Sequence, residues 1–122
     1  MFPFWIVLLI CVPAGDAAVL NVGPNQLYTT IQAAVSAADS GDEVQVADGT
    51  YNENVLIERR LTLRSINGAA TTFVAAADTH QDVIRIDAEN VRVSGFTVYG
   101  ATEKAGIRLS SDSAHCVIEN NR

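Results

Sequence analysis

Two arginines occupy the same place in a recurring strand pattern, and their chemistry is anion binding. Arg85 lies in DVIRIDAENVRVSGF and Arg108 in GIRLSSDSAHCVIENN, each between alternating aliphatic residues. If these segments stack as neighbouring strands, the two guanidinium groups lie about 4.8 Å apart on one outer face. The planar guanidinium suits a carboxylated or sulfated sugar. We therefore predict Arg85 and Arg108 as residues that bind a polysaccharide or cell-surface glycan.

The structural alternative is that nearby acids neutralise this arginine pair. Glu58, Asp87 and Glu89 lie close to it in the strand pattern. Ion pairs of this kind are common on solvated faces and contribute little to stability. The sequence leaves both interpretations open.

Possible metal ligands are found in two places. Asp78, His80 and Asp82 alternate in DTHQD and would share one face of a strand. The segment lies between strands, however, and has the composition of a solvated loop without a fourth ligand. His115 and Cys116 are adjacent, so on a strand they face opposite sides. We predict no metal and no cofactor.

No group of residues predicts catalysis. The sequence forces no two acids onto one face of adjacent strands, as glycoside hydrolysis requires. Tyr51 and Glu53 could contact a ligand, but a Tyr51 ring packed in a turn and a solvated Glu53 are favoured. Cys116 aligns with Leu61 and Val91, which predicts a small core residue.

A repeated two-strand unit positions the arginines. It occurs at residues 54–65, 82–96 and 106–121 as strand, polar turn and strand. Matching aliphatic residues are 29 and 23 residues apart in the first strand and 30 and 25 residues apart in the second. Such a spacing is typical of a solenoid with a shared apolar axis. An antiparallel β-sandwich does not predict that both strands and their turn recur together. The matched columns are Ile57, Ile86 and Leu109 in the first strand and Leu63, Val93 and Ile118 in the second.

Alternation within each strand separates an inner face from an outer face. Arg85 and Arg108 fall on the outer face with Leu56, and the flanking aliphatic residues fall inside. Asparagines fall at the turns, where the left-handed backbone region is accessible to them. These corner residues are Asn67, Asn90, Asn120 and Asn121.

A strand and one helix precede the repeat. Residues 19–22 alternate and stop at Gly23-Pro24-Asn25, which predicts an edge strand. Thr29 and Gln32 form a capping box, and Gly41 ends the helix. So short a helix is unstable alone, so its apolar face must cover the β stretch that follows. That face comprises Ile31, Ala34, Val35 and Ala38.

Residues 1–17 have the shape of a secretory signal peptide. The apolar run is too short to span a bilayer, and Gly15 and Ala17 supply small side chains before a cleavage site. We expect cleavage after Ala17, no stable membrane span afterwards, and an extracytoplasmic location: secreted, periplasmic or on the cell surface. No Lys or Arg precedes the run, which leaves a short membrane anchor or a truncated leader as the alternative.

The bulk composition limits the remaining possibilities. A chain of 122 residues allows one domain. A net charge of −6 with a single Lys argues against a nucleic-acid partner, which requires a basic face. Cys11 lies in the leader, so Cys116 is expected to be an unpaired thiol in the mature chain.

The segment TTIQAAVSAADSGDEVQVADGTYNENVLIERRLTLRS carries a family resemblance. It resembles the N-terminal cap and first coil of the pectin-lyase-like superfamily, in which a "TIQ-AV-AA" helix leads through "GD-V-V" to "GTY-E-V" and "LTL". The resemblance implies an all-β, right-handed, single-stranded parallel β-helix with an N-terminal amphipathic α-helical cap. It implies a fold more than a function, because the superfamily includes enzymes, carbohydrate-binding surface proteins and NosD-like copper-site maturation factors.

We therefore expect a signal peptide at 1–17 and the N-terminal part of a β-helix domain at 18–122, with its cap at 19–40 and coils at 41–122. Further coils or a partner are expected to cover the end at Arg122. The expected function is a carbohydrate-interacting or structural surface that is non-catalytic as it stands. The alternatives are the N-terminal fragment of a pectinesterase or polysaccharide lyase, whose catalytic set matches no residue here, and a NosD-like factor.

Overall fold

Eleven short strands and one helix make up the part of the chain that the computed structural model describes, residues 17–122. The predicted signal peptide, apart from Ala17, lies outside the described residues. The described part contains no helix long and apolar enough to cross a membrane. The elements are β1 Val19–Val22, α1 Ile31–Ala37, β2 Glu43–Val46, β3 Gly49–Asn52, β4 Val55–Ile57, β5 Thr62–Ser65, β6 Thr72–Ala75, β7 Ile84–Ile86, β8 Arg92–Ser94, β9 Thr97–Tyr99, β10 Ile107–Leu109 and β11 Val117–Glu119.

The strands form three parallel sheets that share one interior. Sheet A has the order β1-β2-β5-β8-β11, sheet B the order β3-β6-β9 and sheet C the order β4-β7-β10. Each coil contributes one strand to each sheet in turn, and every pairing between named strands is parallel. This is a parallel β-helix, as predicted, and the parallel pairing excludes the antiparallel sandwich.

The strand register confirms both predicted columns of aliphatic residues. On sheet C, Ile57 pairs with Ile86, and Ile86 pairs with Leu109. Sheet A aligns the second column in the same way. Most of these side chains are fully buried, because stacking places each directly on its equivalent in the next coil. The second column comprises Leu63, Val93 and Ile118.

The coil has three strands where the sequence predicted two. Sheet B was missed because the loops that flank β6 and β9 differ in length between coils, which hides the alignment. Sheet B begins at β3, residues Gly49–Asn52, ahead of the first predicted repeat unit at 54–65. β2 belongs to the same coil, because Val44 lies in register with Leu63. The stacked strands therefore begin before residue 54, where the predicted repeat starts.

Asparagine corners are confirmed at two of the four predicted positions. Asn90 and Asn120 each have a φ of 56°, in the left-handed region. Asn67 and Asn121 do not have a positive φ. Asn121 serves the stack through its side chain, which accepts a hydrogen bond from Phe96 N and donates one to the Val93 carbonyl. Asparagines at the corners thus contribute in two ways: Asn90 and Asn120 adopt the left-handed backbone conformation, and Asn121 forms hydrogen bonds through its side-chain amide.

The helix covers the end of the coil stack as predicted, but its cap is shifted by one residue. Thr30 is the N-cap, and its hydroxyl accepts a hydrogen bond from Ala33 N. The prediction that Thr29 and Gln32 form a capping box was wrong, because Gln32 bonds to a strand instead. The helix ends at Ala37, four residues before Gly41, and Ala38 is already extended. The four predicted apolar residues are all buried.

Gln32 closes the outer edge of sheet C. Its side-chain carbonyl accepts from Leu56 N at 2.7 Å, and its amide nitrogen donates to the Leu56 carbonyl at 3.2 Å. The side chain therefore takes the place of a further strand beside β4.

Glu53 holds the first turn of the helix. Its two carboxylate oxygens accept hydrogen bonds from Ile31 N at 2.7 Å and from Gln32 N at 2.9 Å. These amides belong to the first turn, where backbone donors lack partners within the helix. The expectation that Glu53 is solvated was wrong, because the turn between β3 and β4 places its carboxylate against the first turn of the helix. Glu53 fixes the helix, and Gln32 on that helix closes the sheet.

We expect Glu53→Ala to lower the free energy of unfolding by about 2 kcal/mol, because it leaves two helix amides without their charged acceptor. Urea unfolding followed by circular dichroism measures the change. Glu58→Ala is the matched control, since Glu58 is exposed and should change stability little. Equal stability of the two variants would contradict the assigned role of Glu53.

We expect Gln32→Ala to remove the hydrogen-exchange protection of the Leu56 amide and to cost about 1 kcal/mol of stability. Gln32→Glu should be no better, because a carboxylate cannot donate to the Leu56 carbonyl. Gln26→Ala, at an exposed glutamine outside the sheets, is the control. Protection of Leu56 that survives in Gln32→Ala would refute the edge-closing role.

Candidate functional site

The outer face of sheet C carries both predicted site residues. Leu56 on β4 pairs with Arg85 on β7, and Arg85 pairs with Arg108 on β10. The flanking residues Ile84 and Ile86 are fully buried, so alternation turns both arginines outward. Their side chains are 52% and 47% exposed, respectively. The structure thus brings the two arginines together on adjacent strands, as the repeat predicted.

Arg85 forms an ion pair with Asp87, which directly follows strand β7. Its Nε donates to Asp87 Oδ1 at 3.1 Å. Asp87 was one of three acids predicted to neutralise the column. The other two, Glu58 and Glu89, form no ion pair within residues 17–122. The contact uses only the Nε of Arg85 and leaves its terminal amino groups without a protein partner in this range.

Arg108 is held by Asp82, which the sequence did not identify as its partner. Arg108 Nε lies 2.9 Å from Asp82 Oδ2, and Asp82 Oδ1 accepts from Ala105 N at 3.0 Å. The Asp82 side chain is only 9% exposed. Burial opposes its ionisation, but the Ala105 hydrogen bond and the Arg108 guanidinium outweigh burial and lower the pKa of Asp82, with a smaller contribution from Arg85.

Asp82 and Arg108 belong to neighbouring coils, so only the coil register brings them together. Asp82 stands just before β7, and Arg108 lies on β10. Asn54 fixes the loop that leads to Asp82, because its amide donates to the carbonyls of Asp78 and Asp82 and its carbonyl accepts from Asp78 N. The Asp82–Arg108 ion pair can be predicted from the sequence only once β7 has been aligned with β10.

A shallow open depression of about 270 Å³ lies beside Arg85. Leu56 contributes an apolar side chain to its lining, and Gln81 contributes an exposed amide. Gln81 makes no side-chain hydrogen bond to residues 17–122, so its amide is available to a ligand. The depression therefore offers an apolar contact, a neutral hydrogen-bonding group and a cation in one place. Its lining also includes Asn54, Val55, Asp82 and Asp87.

The possible metal ligands are engaged elsewhere. Asp78 accepts a hydrogen bond from His80 N, and its carboxylate lies 3.5 Å from His80 Nδ1. Asp82 turns to Arg108 instead. Within residues 17–122, no three His, Cys, Asp or Glu side chains are grouped to hold a metal ion. Cys116 is half-buried, packs against the core and donates to the Ala88 carbonyl, in the column predicted for it.

Tyr51 packs in the turn as expected and is not free for a ligand. Its hydroxyl donates to the Ala47 carbonyl at 2.7 Å, and the residue is only 8% exposed. Burial raises the pKa of Tyr51, and the nearby charges of Glu53 and Asp48 add to that effect. The buried phenol is therefore a structural group.

Comparison with solved structures agrees with the parallel β-helix. The pectin methylesterase from Aspergillus niger superposes with a TM-score of 0.63 at 19% sequence identity, over 89% of this chain and 50% of the enzyme. At that identity the likeness concerns the fold. No family model matches the sequence.

Among curated proteins, a cell surface glycoprotein of Methanothermus fervidus is 36% identical over 110 residues. The match covers 88% of this chain but only 18% of that glycoprotein. The chain thus spans less than a fifth of the length of this relative. The class defined by fold and comparison is a parallel β-helix that is similar to a segment of a much longer surface protein.

The Asp82 contact predicts a specific pH dependence. A lowered pKa in the folded state means that the ionised carboxylate stabilises the fold above the unfolded pKa, about 3.9, and that this stability is lost as the pH falls through the folded pKa. We expect the stability difference between the wild type and Asp82→Asn to be largest near neutral pH and to shrink in acid. Urea titrations across pH measure it, with Asp112→Asn as the exposed control. A difference that is constant with pH would contradict the ionised Asp82–Arg108 pair.

Proposed function

We propose that this chain belongs to an exported, cell-surface protein and presents a non-catalytic, carbohydrate-interacting face on the outside of sheet C. The observation that carries the proposal is the in-register pair Arg85 and Arg108, each held through Nε with its terminal amino groups exposed. The predicted signal peptide at 1–17 and the likeness to a cell surface glycoprotein support an exported location.

The arrangement favours an acidic sugar. Asp82 and Asp87 hold the two guanidinium groups in place, and the terminal amino groups still offer a donor fork to a carboxylate or sulfate. Beside them, Leu56 offers an apolar surface to the C–H groups of a sugar ring, and the Gln81 amide can meet a hydroxyl group. These are the groups that an acidic sugar requires.

Because the whole chain is acidic, binding of an acidic sugar must depend on the local positive charge of Arg85 and Arg108. A chain with a net charge of −6 repels polyanions at long range. Two exposed cations, each already paired with an aspartate, provide a modest affinity that salt weakens. Binding should therefore be specific to this face and should fall with ionic strength.

We expect the double variant Arg85→Ala/Arg108→Ala to bind an acidic polysaccharide such as polygalacturonate about tenfold more weakly than the wild type. Retention on a column of immobilised polymer at low salt measures the change. Arg92→Ala is the matched control, because Arg92 is similarly exposed at 48%, is also paired with an acid and lies on sheet A. Unchanged retention of the double variant would disprove the arginine site.

The non-catalytic part of the proposal is tested separately. Assays for reducing sugars, unsaturated products and methanol release on a polysaccharide panel should remain silent. Turnover by this chain would instead support the pectinesterase or lyase alternative.

A further inference from the structure

The coil stack has one strand edge for each sheet at its N-terminal end, and within residues 17–122 the chain engages only two of the three. On sheet C the Gln32 side chain pairs with both backbone groups of Leu56. On sheet A, Tyr28 forms a bridge to Val22, and its carbonyl accepts from Gly23 N at 3.0 Å. The remaining edge belongs to β3, the first strand of sheet B.

Two residues of β3 direct their backbone groups away from the rest of sheet B. Along a strand, alternate residues bond to the same side, and the amides of Gly49 and Glu53 donate to carbonyls on the β6 side. Thr50 and Asn52 alternate with them, so their N–H and C=O groups point to the open edge. These groups have no hydrogen-bond partner in the described part of the chain. The edge of β3 is therefore unpaired.

An open depression of about 320 Å³ lies beside this edge. Its lining comes from β3 and from the segment that precedes the helix, including Pro24 and Thr29. Gly49 and Thr50 are exposed. The space beside β3 is therefore open to a further strand.

A second depression, of about 340 Å³, adjoins the first, because Pro24 and Asp48 line both. It extends the groove to Ile66, which is 48% exposed. The carboxylate of Asp48 accepts from Asn67 Nδ2 at 2.9 Å, and no cation among residues 17–122 pairs with it. The groove thus combines a strand edge, an anionic group and an apolar side chain.

We infer that this groove binds an extended, basic peptide segment of a protein partner, which adds a strand to sheet B at β3. The free backbone groups of Thr50 and Asn52 recur about 6.6 Å apart, and an extended peptide matches that spacing residue for residue. A basic side chain of the peptide pairs with Asp48, and an apolar one packs on Ile66. A sugar offers no such regular series of donors and acceptors.

The charge of the chain favours a basic partner over a second copy. The net charge of −6 attracts a cationic segment, whereas two copies of this chain repel each other. A second copy would also bring its own exposed carboxylates towards Asp48. A basic segment of another protein is therefore the occupant that matches the groove.

The inference uses residues other than those of sheet C, so it and the proposed function can fail independently. The probe is a labelled peptide of alternating threonine and valine with a lysine at each end, added at up to millimolar concentration to the folded wild type. We expect fluorescence anisotropy to rise and the amides of Thr50 and Asn52 to exchange hydrogen more slowly. The same peptide methylated on every amide nitrogen lacks the donors of a strand and should not bind.

Variants at the edge separate backbone pairing from side-chain contact. Thr50→Pro removes one free N–H, and an edge strand tolerates proline where the N–H faces outward. We expect it to keep the fold, checked by circular dichroism, and to bind the peptide about fivefold more weakly. Thr50→Val keeps both backbone groups and is the matched control, with wild-type affinity expected.

The charge of Asp48 is tested in the same assay. Asp48→Asn should weaken binding of the lysine-flanked peptide and should leave binding of a serine-flanked version unchanged. Arg85→Ala/Arg108→Ala should bind the peptide as the wild type does, and Thr50→Pro should retain its binding to polygalacturonate.

Unchanged hydrogen exchange at Thr50 and Asn52 at the highest peptide concentration would overturn the inference. Equal affinities of Thr50→Pro and Thr50→Val would do the same. Sedimentation of the wild type alone as a dimer that Thr50→Pro dissociates would assign the edge to a second copy and overturn the inferred occupant. Failure of polygalacturonate binding would count against the sheet C site alone.

Discussion

A stack of parallel strands must end at an edge, and in this protein a single side chain closes one of those edges. The Gln32 amide pairs with both backbone groups of Leu56, so β4 has hydrogen-bonding partners on both sides. The Glu53 carboxylate holds the amides of the first helical turn, from which Gln32 reaches Leu56. Glu53 and Gln32 therefore connect the start of the helix to the first coil, and Arg59 connects its end by donating to the Ala38 carbonyl. The later coils stack on that first coil.

The candidate sites depend on this stacking. Arg85 and Arg108 are neighbours because one coil lies on the next in register, and Asp82 reaches Arg108 across the same interface. No strand carries a site by itself. The residues that each sheet exposes on its outer face come from several coils: sheet A pairs Arg92 with Glu119, and sheet C sets Arg85 beside Arg108.

Much of the architecture was predictable because the apolar axis imposes a repeat on the sequence. Ile57, Ile86 and Leu109 could be aligned because burial restricts each position to an aliphatic residue. Sheet B escaped detection because the loops that join its strands to the strands of sheets A and C differ in length from coil to coil. Asp82 and Glu53 were misjudged for a related reason: their partners are distant in sequence, and a charged residue in a loop looks solvated until the coils are stacked. Local sequence patterns predicted which aliphatic residues stack in columns. The contacts of Asp82 and Glu53 could be identified only from the three-dimensional register of the coils.

The loops between sheets B and C differ in length from coil to coil while the columns on either side keep their register. The loop before β7 supplies Gln81 and Asp82 to the depression beside Arg85. Insertions or deletions there alter the lining without moving a buried residue, since surface connections tolerate change that a packed core does not. In evolutionary terms, this corner lets ligand preference drift while the fold is conserved, and related proteins with the same coils can diverge there first.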